Sequence, residues 1–392
     1  MKNKKLITHV TLTPLAGSPI RISDALNKHS RYESRCINLN PLGNGKRTFK
    51  EDLVWSLDKE ECFIRLSKSD IVCFHHYIDY KSPNNPFKVN FLDFSGPNTK
   101  FIFHWHSNPN FISETRKIEL DKLLNIKDPQ LVVAQFHETY FPNALPVPLI
   151  VEKANEVTPT NSKLKPIIFF SPSNDRMAFE RRWESKARNQ VLAILKKLKR
   201  DGVANYILAE DLPFDHCNQL RAESDIVIDD VVTGSFHTSS LEALALGKPT
   251  ISYLDHRTQL VLSETTGSTD LPIINAKLEY LEEVLLDLCN SSTLRESLGA
   301  FSLDWFNTHY SEKKMTEIYA RAFEKILAGK ETLNPRYKDH KNAKIWLYKN
   351  VVDIEWSHRK MKFYGEVSNL AYYYSYKLLK KLKMRLNELL RG

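Results

Sequence analysis

One acid stands inside an otherwise apolar run in the stretch HTSSLEALALGKPTI, residues 237–251. The loop before it, residues 233–240, holds Gly234 and several hydroxyl side chains. A helix beginning near Ser239 would point unpaired backbone N–H groups at that loop, which is a binding site for a phosphate or diphosphate. Glu242, one turn further on, offers two acceptor oxygens that suit the neighbouring hydroxyls of a ribose. The alternative is a merely favourable acid in the first turn of a helix.

Two histidines close a predicted strand in the stretch FIFHWHSNPN, residues 101–110. Ligands of α/β folds bind at the carboxyl ends of parallel strands, which makes His106 and His104 candidates for a reaction centre. The alternative role is that of a hydrogen-bonded histidine in the core. A metal site would need further ligands close in space, and the sequence indicates none, so no metal is expected.

A glycine turn follows the first predicted strand in PLAGSPIRIS, residues 14–23. Gly17 could bring the backbone close to a ligand, or it could simply make the turn. A helix is expected after it, beginning at Ser23. The chain contains no D-x-D, no P-loop, no GxGxxG and no GxSxG motif, which argues against metal-dependent sugar transfer, nucleoside triphosphatase, dinucleotide and esterase-type sites.

The elements that must position these residues alternate along the chain. Short strands that are apolar on both faces alternate with helical stretches, as in a parallel sheet covered on both sides. A seam with five prolines at 141–166 interrupts the alternation, which then starts again. We therefore predict an α/β chain with two Rossmann-like domains, 1–150 and 151–329, that face each other across a cleft, and a basic helical tail at 330–392.

Composition narrows the class of protein. The chain of 392 residues has 42% hydrophobic and 26% charged residues, which is typical of a globular protein. Its five scattered cysteines show no CxxC spacing, so a reduced, cytoplasmic protein is expected. Residues 330–392 hold fifteen Lys and Arg against six Asp and Glu, so the tail accounts for the whole formal charge of +9. The body is therefore neutral, and no nucleic acid is expected as a partner.

The segment SSLEALALGKPTI, residues 239–251, resembles the nucleotide-binding segment of GT-B glycosyltransferases of the large retaining family four. The longer segment SDIVIDDVVTGSFHTSSLEALALGKP, residues 224–249, is especially similar to members that act in bacterial surface-polysaccharide synthesis. The resemblance implies that Glu242 binds the ribose of a nucleotide-diphosphate sugar and that Ser239 and Ser240 cradle its diphosphate. It also implies hexosyl transfer, with retention, to a glycan or lipid-linked acceptor, without a metal or another cofactor. The family places a donor-contacting histidine where His106 stands, with His104 as the alternative.

A basic stretch after a strand, FFSPSNDRMAFERRWESKARN, resembles the family segment that grips the diphosphate. Fixed cations there stabilise the charge that develops on the leaving group. Lys186 and Arg176 are the leading candidates, and the rivals are Arg181, Arg182 and Arg188. The chain departs from the family at Gly234, where many members carry the first Glu of an E-x7-E pair. Asp229 or Asp230 could supply the missing carboxylate.

Proteins with other functions could have the same nucleotide-binding segment. A GT-B sugar-nucleotide epimerase or hydrolase would use the same nucleotide site, and a non-catalytic GT-B binding protein could lack the first Glu. The tail ends in a basic amphipathic helix with aromatic neighbours, which suits an anionic membrane surface at the inner face of the membrane. We expect that contact through 372–392. The alternative is that the tail packs across the first domain.

Overall fold

The computed structural model describes residues 4–43, 48–134, 141, 143–153, 165–172 and 186–329. All of them belong to one compact unit of the chain, residues 1–339. The predicted tail at 330–392 lies outside the described residues. None of the described helices is both long and apolar enough to cross a membrane.

The first sheet has seven parallel strands in the order β3-β2-β1-β4-β5-β6-β7. Its strands are β1 Lys5–Thr11, β2 Tyr32–Asn38, β3 Leu53–Val54, β4 Ile71–His75, β5 Lys100–Trp105, β6 Gln130–Val133 and β7 Leu145–Val147. The central strands are apolar on both faces because helices cover both sides of the sheet. The helices of this half are α1 Ser18–His29, α2 Lys59–Lys68, α3 Pro109–Arg116 and α4 Leu120–Leu124.

The second sheet has five parallel strands in the order β12-β11-β10-β8-β9. Its strands are β8 Ile167–Phe170, β9 Asn205–Leu208, β10 Ile226–Ile228, β11 Thr250–Ser252 and β12 Ile273–Asn275. The described helices of this half are α5 Arg188–Arg200, α6 Phe214–Ala222, α7 Thr238–Ala245, α8 His256–Thr266, α9 Leu281–Asn290 and α10 Ser292–His309.

The last described helix, α11 (Glu312–Leu327), returns from the second half to the first. Glu312 accepts from Lys28 at 2.7 Å, at the end of α1. Tyr319 donates its hydroxyl to the Pro148 carbonyl oxygen at 2.7 Å, and Tyr310 just before the helix donates to the Leu149 carbonyl oxygen at 3.0 Å. These contacts hold the start of α11 against α1, and α11 and Tyr310 against the segment that follows β7.

The predicted parallel α/β architecture is confirmed, while the domain boundaries at 150 and 329 stay predictions. The expected start of α1 at Ser23 is wrong, because the helix begins at Ser18. Gly17 adopts the left-handed conformation at the N-cap, and Pro19 stands in the first turn, where its missing N–H costs no hydrogen bond. This earlier start brings the first turn of α1 to the carboxyl edge of the sheet.

Candidate functional site

The start of α7 lies beside a cavity that opens to solvent. After β10 the chain runs through a loop to His237, which has extended backbone angles and is the N-cap of α7. Buried Asp229 accepts from the His237 backbone N–H and from the Ser240 hydroxyl, both at 2.6 Å. Ser239 lines the cavity, and its hydroxyl has no partner among the described residues. Of the two predicted serines, one therefore supports the loop and the other is available to a ligand.

Lys186 is the predicted cation that the structure brings to the cavity. Its ammonium donates to Asp229 Oδ1 at 2.5 Å and to the Ser171 carbonyl oxygen at 3.3 Å. Burial alone would raise the pKa of Asp229, but the charge of Lys186 and the hydrogen bond that it donates hold that pKa well below its usual range. Asp229 is therefore an anion at neutral pH, and its partners fix Lys186 at the edge of the cavity.

Among the rival cations, Arg188 is described and does not lie at this cavity. Arg188 pairs with Glu210, with 2.5 Å between Nε and Oε1, and neither residue lines the cavity. Arg176, Arg181 and Arg182 lie outside the described residues. Lys186 is consequently the described candidate cation that lines the cavity.

Glu242 lies where the first turn of α7 faces the other half of the molecule. Its Oε1 accepts from Arg21 Nη2 at 2.7 Å, and its Oε2 is 2.9 Å from Arg221 Nη1. All three side chains are buried. Glu242 nevertheless lines this cavity as well as a second one on which Arg21 lies.

The cavity has a volume of about 320 Å³ and lies between the carboxyl ends of the two sheets. The first half contributes Ala16 from the turn before α1, Ser18 at the start of α1, and His106. The second half contributes Lys186, the start of α7 and Glu242. This is the position in which two facing α/β halves bind ligands.

A second cavity of about 550 Å³ lies on the other side of Arg21 and Glu242. Gly17 lines this second cavity. Its φ is +77°, and a Cβ on it would lie 2.8 Å from Cδ1 of Phe49, so a larger residue would displace that ring. Gly17 thus makes the turn that presents Ala16 and Ser18 to the first cavity.

Gly234 occupies the loop between β10 and α7, with a φ of +83°. A Cβ there would lie 3.0 Å from Cβ and 3.1 Å from Oδ2 of Asp255, which caps α8. Gly234 does not line either cavity. Asp230 binds the same loop through the backbone N–H groups of Val232 and Thr233 at 2.8 and 2.9 Å. Neither Asp229 nor Asp230 is therefore a free carboxylate that could replace the missing Glu.

Histidines from three neighbouring strands form a hydrogen-bonded row. His9 Nδ1 is 2.9 Å from His75 Nε2, and His75 Nδ1 is 2.8 Å from His106 Nε2. His106 lines the cavity, whereas His104 is fully buried and does not. Burial lowers the pKa of His9 and of His106 to about 3, so both imidazoles are neutral at neutral pH. Of the two predicted histidines, only His106 is placed to meet a ligand.

Two overlapping trios in this row bring possible metal-ligand atoms within 4.8 Å of one another: His9, Cys73 and His75, and His75, His104 and His106. In the second trio, both nitrogens of His104 have no partner among the described residues. His75 and His106 direct nitrogens at each other, so a metal would have to replace that hydrogen bond. Burial raises the pKa of the Cys73 thiol, which opposes the thiolate that a metal would need in the first trio.

Several residues of this site carry no sequence signal of their own. Arg21 and Arg221 lie on helices with no distinctive motif. Their shared partner, Glu242, is 221 residues from Arg21 and 21 residues from Arg221 in the sequence. His9 and His75 lie within strands whose apolar neighbours predict only burial. A buried cation must be paired, but sequence alone does not identify its partner.

No protein-family model matches the chain, and no curated protein matches it either. Solved structures do. A glycosyltransferase from Rickettsia africae has 14% sequence identity and a TM-score of 0.52, with 83% of this chain and 99% of that chain covered. Sucrose-phosphate synthase from Thermosynechococcus elongatus has 9% identity, a TM-score of 0.49 and coverage of 83% and 100%. Anabaena HepE in complex with UDP has 12% identity, a TM-score of 0.47 and coverage of 82% and 100%.

At these identities the likeness concerns the fold. The Rickettsia structure matches over nearly its full length, and both sheets of the present chain are parallel. Both halves direct the carboxyl ends of their strands at one cavity, and a final helix returns to the first half. The described part of the chain therefore has the GT-B fold of the glycosyltransferases that it resembles.

Proposed function

We propose that the protein is a glycosyltransferase that moves a hexosyl group from a nucleotide-diphosphate sugar to a glycan or lipid-linked acceptor, with retention of configuration. The observation that carries the proposal is the cavity between the halves. There an unpartnered serine at a helix start, a buried lysine and a buried glutamate line one wall. Those groups match a diphosphate and a ribose in charge and hydrogen-bonding capacity.

In this proposal the diphosphate docks at the start of α7. The backbone N–H groups of the first turn and the Ser239 hydroxyl donate to its oxygens, and the positive end of the helix dipole adds to the attraction. Lys186 faces the same space, although it is paired with Asp229. These fixed donors stabilise the charge that develops as the bond between the anomeric carbon and the diphosphate breaks. They can do so without a metal, which is our expectation for the reaction.

The acceptor hydroxyl attacks the anomeric carbon from the face that the diphosphate leaves, and its proton departs with the diphosphate. We assign no protein nucleophile. His106 enters the cavity from the first half as a neutral imidazole, which can donate or accept one hydrogen bond at the sugar. Its place opposite α7 supports a role as a sugar contact.

The biological setting is also part of the proposal. We place the protein in bacterial surface-polysaccharide synthesis, in the cytoplasm and at the inner face of the membrane, with 372–392 as the membrane contact. The basis is the resemblance of residues 224–249 and the positive charge of the tail.

A transfer assay tests this function. The full chain is incubated with a nucleotide sugar labelled in the sugar, together with lipid-linked and free glycan acceptors. We expect the label to appear in the acceptor, and we expect NMR to show that the new glycosidic bond has the same anomeric configuration as the donor. Release of free labelled sugar alone would show a hydrolase, and unchanged donor in every condition would contradict the proposal.

A further inference from the structure

Glu242 is the centre of a buried ion triad. Each carboxylate oxygen meets one guanidinium, at 2.7 Å for Arg21 and 2.9 Å for Arg221. The exposed fractions are 7% for Glu242, 9% for Arg21 and 3% for Arg221. In such surroundings a carboxylate without its cationic partners would be costly, so the two arginines hold Glu242 in one orientation.

The triad joins the two halves of the chain. Arg21 belongs to α1 in the first half, whereas Glu242 and Arg221 belong to the second. The guanidinium of Arg21 also stacks on the ring of Phe214, 4.7 Å from its centroid. Arg221 lies 5.1 Å from the ring centroid of Phe169. Each guanidinium is therefore held at its edge by Glu242 and at its face by an aromatic ring, which leaves it little freedom.

The two arginines do not occupy every hydrogen-bonding position of the Glu242 carboxylate. An ionised carboxylate has about four lone-pair positions, and the two arginines occupy two of them. Glu242 lines the first cavity while it is held in this way. A pair of neighbouring ribose hydroxyls could therefore donate to the remaining positions without displacing either arginine.

The charge of the triad favours the same ligand. Two guanidiniums and one carboxylate leave one net positive charge in a buried cluster, of which Glu242 lines both cavities and Arg21 lines the second. Arg21 Nη1 and Arg221 Nε have no hydrogen-bond partner among the described residues. A ligand with a diphosphate next to its ribose would bring the negative charge that balances the triad.

We infer that Arg21 is a positioning residue of the ribose site and is supplied across the cleft by the first half. Together with Arg221 it holds the Glu242 carboxylate so that the unused lone pairs face the first cavity. This inference rests on the proposed binding of a nucleotide sugar. It makes the ribose site complete only when the two halves are together, although the nucleotide lies mainly on the second half.

The test compares nucleotides with and without the ribose hydroxyls. Dissociation constants are measured by calorimetry for the diphosphates of uridine, guanosine, adenosine and cytidine, each beside its 2′,3′-dideoxy counterpart. Both members of a pair carry the same diphosphate, so the ratio of their constants reports the ribose contact alone. The variants are Arg21→Met, which keeps the apolar stem, Arg21→Lys, which keeps the charge, and Glu242→Gln. The control is Arg31→Met, which removes an exposed arginine paired with Glu324.

For the nucleotide that binds, we expect the wild type and Arg31→Met to prefer the ribose form by about tenfold or more, because two hydrogen bonds to a charged group are at stake. Arg21→Met and Glu242→Gln should both reduce this preference to about threefold or less. The ribose preference of Arg21→Lys should lie between that of the wild type and that of Arg21→Met. If Arg21→Met does not fold, a reduced preference in Arg21→Lys supports the role of Arg21, and an unchanged preference overturns it.

Other outcomes separate the two hypotheses. A wild-type preference that persists in Arg21→Met but disappears in Glu242→Gln would overturn the role of Arg21 and leave the proposed function intact. Binding without any ribose preference in the wild type would remove the ribose site and this inference with it. No binding of any nucleotide would reject the proposed function itself.

Discussion

The pair of Lys186 and Asp229 gives a prediction that needs no knowledge of the ligand. Asp229 is fully buried and accepts from Lys186, from the His237 backbone and from the Ser240 hydroxyl. Asp229→Asn keeps the shape of the side chain but leaves the buried ammonium without a counter-charge. Removal of one partner of a buried ion pair costs about 3–5 kcal/mol, so we expect the free energy of unfolding to fall by that amount.

The assay is urea unfolding of four proteins: wild type, Asp229→Asn, Lys186→Met and the double variant. Because the two groups are in contact, the cost of the double variant should be well below the sum of the single costs, by about 2 kcal/mol or more. Glu324→Gln breaks the exposed pair with Arg31 and should cost about 1 kcal/mol or less. Single costs below about 1 kcal/mol, or costs that add within about 0.5 kcal/mol, would refute the assignment of a buried, coupled pair.

The same pair has a pH signature. The pKa of folded Asp229 lies well below the value of about 3.9 expected for the unfolded chain. Its contribution to stability is therefore present above about pH 3.9 and is lost as the pH falls toward the folded pKa. Asp229→Asn should remove that part of the acid dependence. An identical acid dependence in both proteins would show that Asp229 is not held as an anion in the fold.

The remaining predictions concern the loop, the histidine row and the tail. Gly234→Ala should lower the free energy of unfolding, measured with urea, by about 1–3 kcal/mol, because its φ is positive and Asp255 is close. Gly267→Ala is the control, since Gly267 has a positive φ but no neighbour within 4 Å, and it should lower the free energy of unfolding by less. Equal losses would show that the Asp255 contact is irrelevant. His9→Asn keeps an amide nitrogen near the position of Nδ1 and should weaken the loss of stability on acidification by about 1.4 kcal/mol per pH unit. The reason is that unfolded His9 takes up a proton below about pH 6.5, whereas the folded pKa is about 3; an unchanged slope would mean that folded His9 titrates normally. Deletion of 372–392 should reduce binding to anionic liposomes in a salt-dependent way, and unchanged binding would exclude the tail as the membrane contact.

Local sequence patterns were sufficient to predict most elements of the fold. Short strands that are apolar on both faces were predicted to alternate with helices, and β4 and β5 have this pattern because helices cover both faces of the sheet. The hydroxyl residues before Glu242 predicted the start of α7 to within one residue. The start of α1 was missed because Ser23 looked like an N-cap, while Gly17 and Pro19 marked the real start.

The site was less accessible to sequence reasoning, because its electrostatics depend on contacts between distant residues. The stretch around Glu242 indicated a carboxylate at a ligand site, but nothing in that stretch indicated that two arginines from other helices pair with this carboxylate. The motif containing His104 and His106 did not distinguish the histidine that meets the cavity from the one that is buried, since that depends on the sheet and on His75. The departure at Gly234 has a local cause that appears only in three dimensions, namely a left-handed backbone against Asp255.

The most direct test of the central claim is a thermal-shift screen of UDP, GDP, ADP and CDP sugars against the wild type, Glu242→Gln, Glu242→Ala and Glu317→Gln. Glu317 is an exposed acid of α11 and serves as the control. Because Glu242 also holds two arginines, each shift is taken relative to the same variant without ligand. One class of nucleotide sugar should stabilise the wild type and Glu317→Gln by about 2.7 kcal/mol at a hundredfold excess over Kd. The same ligand concentration should stabilise either Glu242 variant by only about 1.4 kcal/mol, because a tenfold loss of affinity leaves a tenfold excess over Kd. Absence of a shift with every nucleotide sugar, or equal shifts in all four proteins, would contradict the claim that Glu242 binds the ribose of a nucleotide sugar.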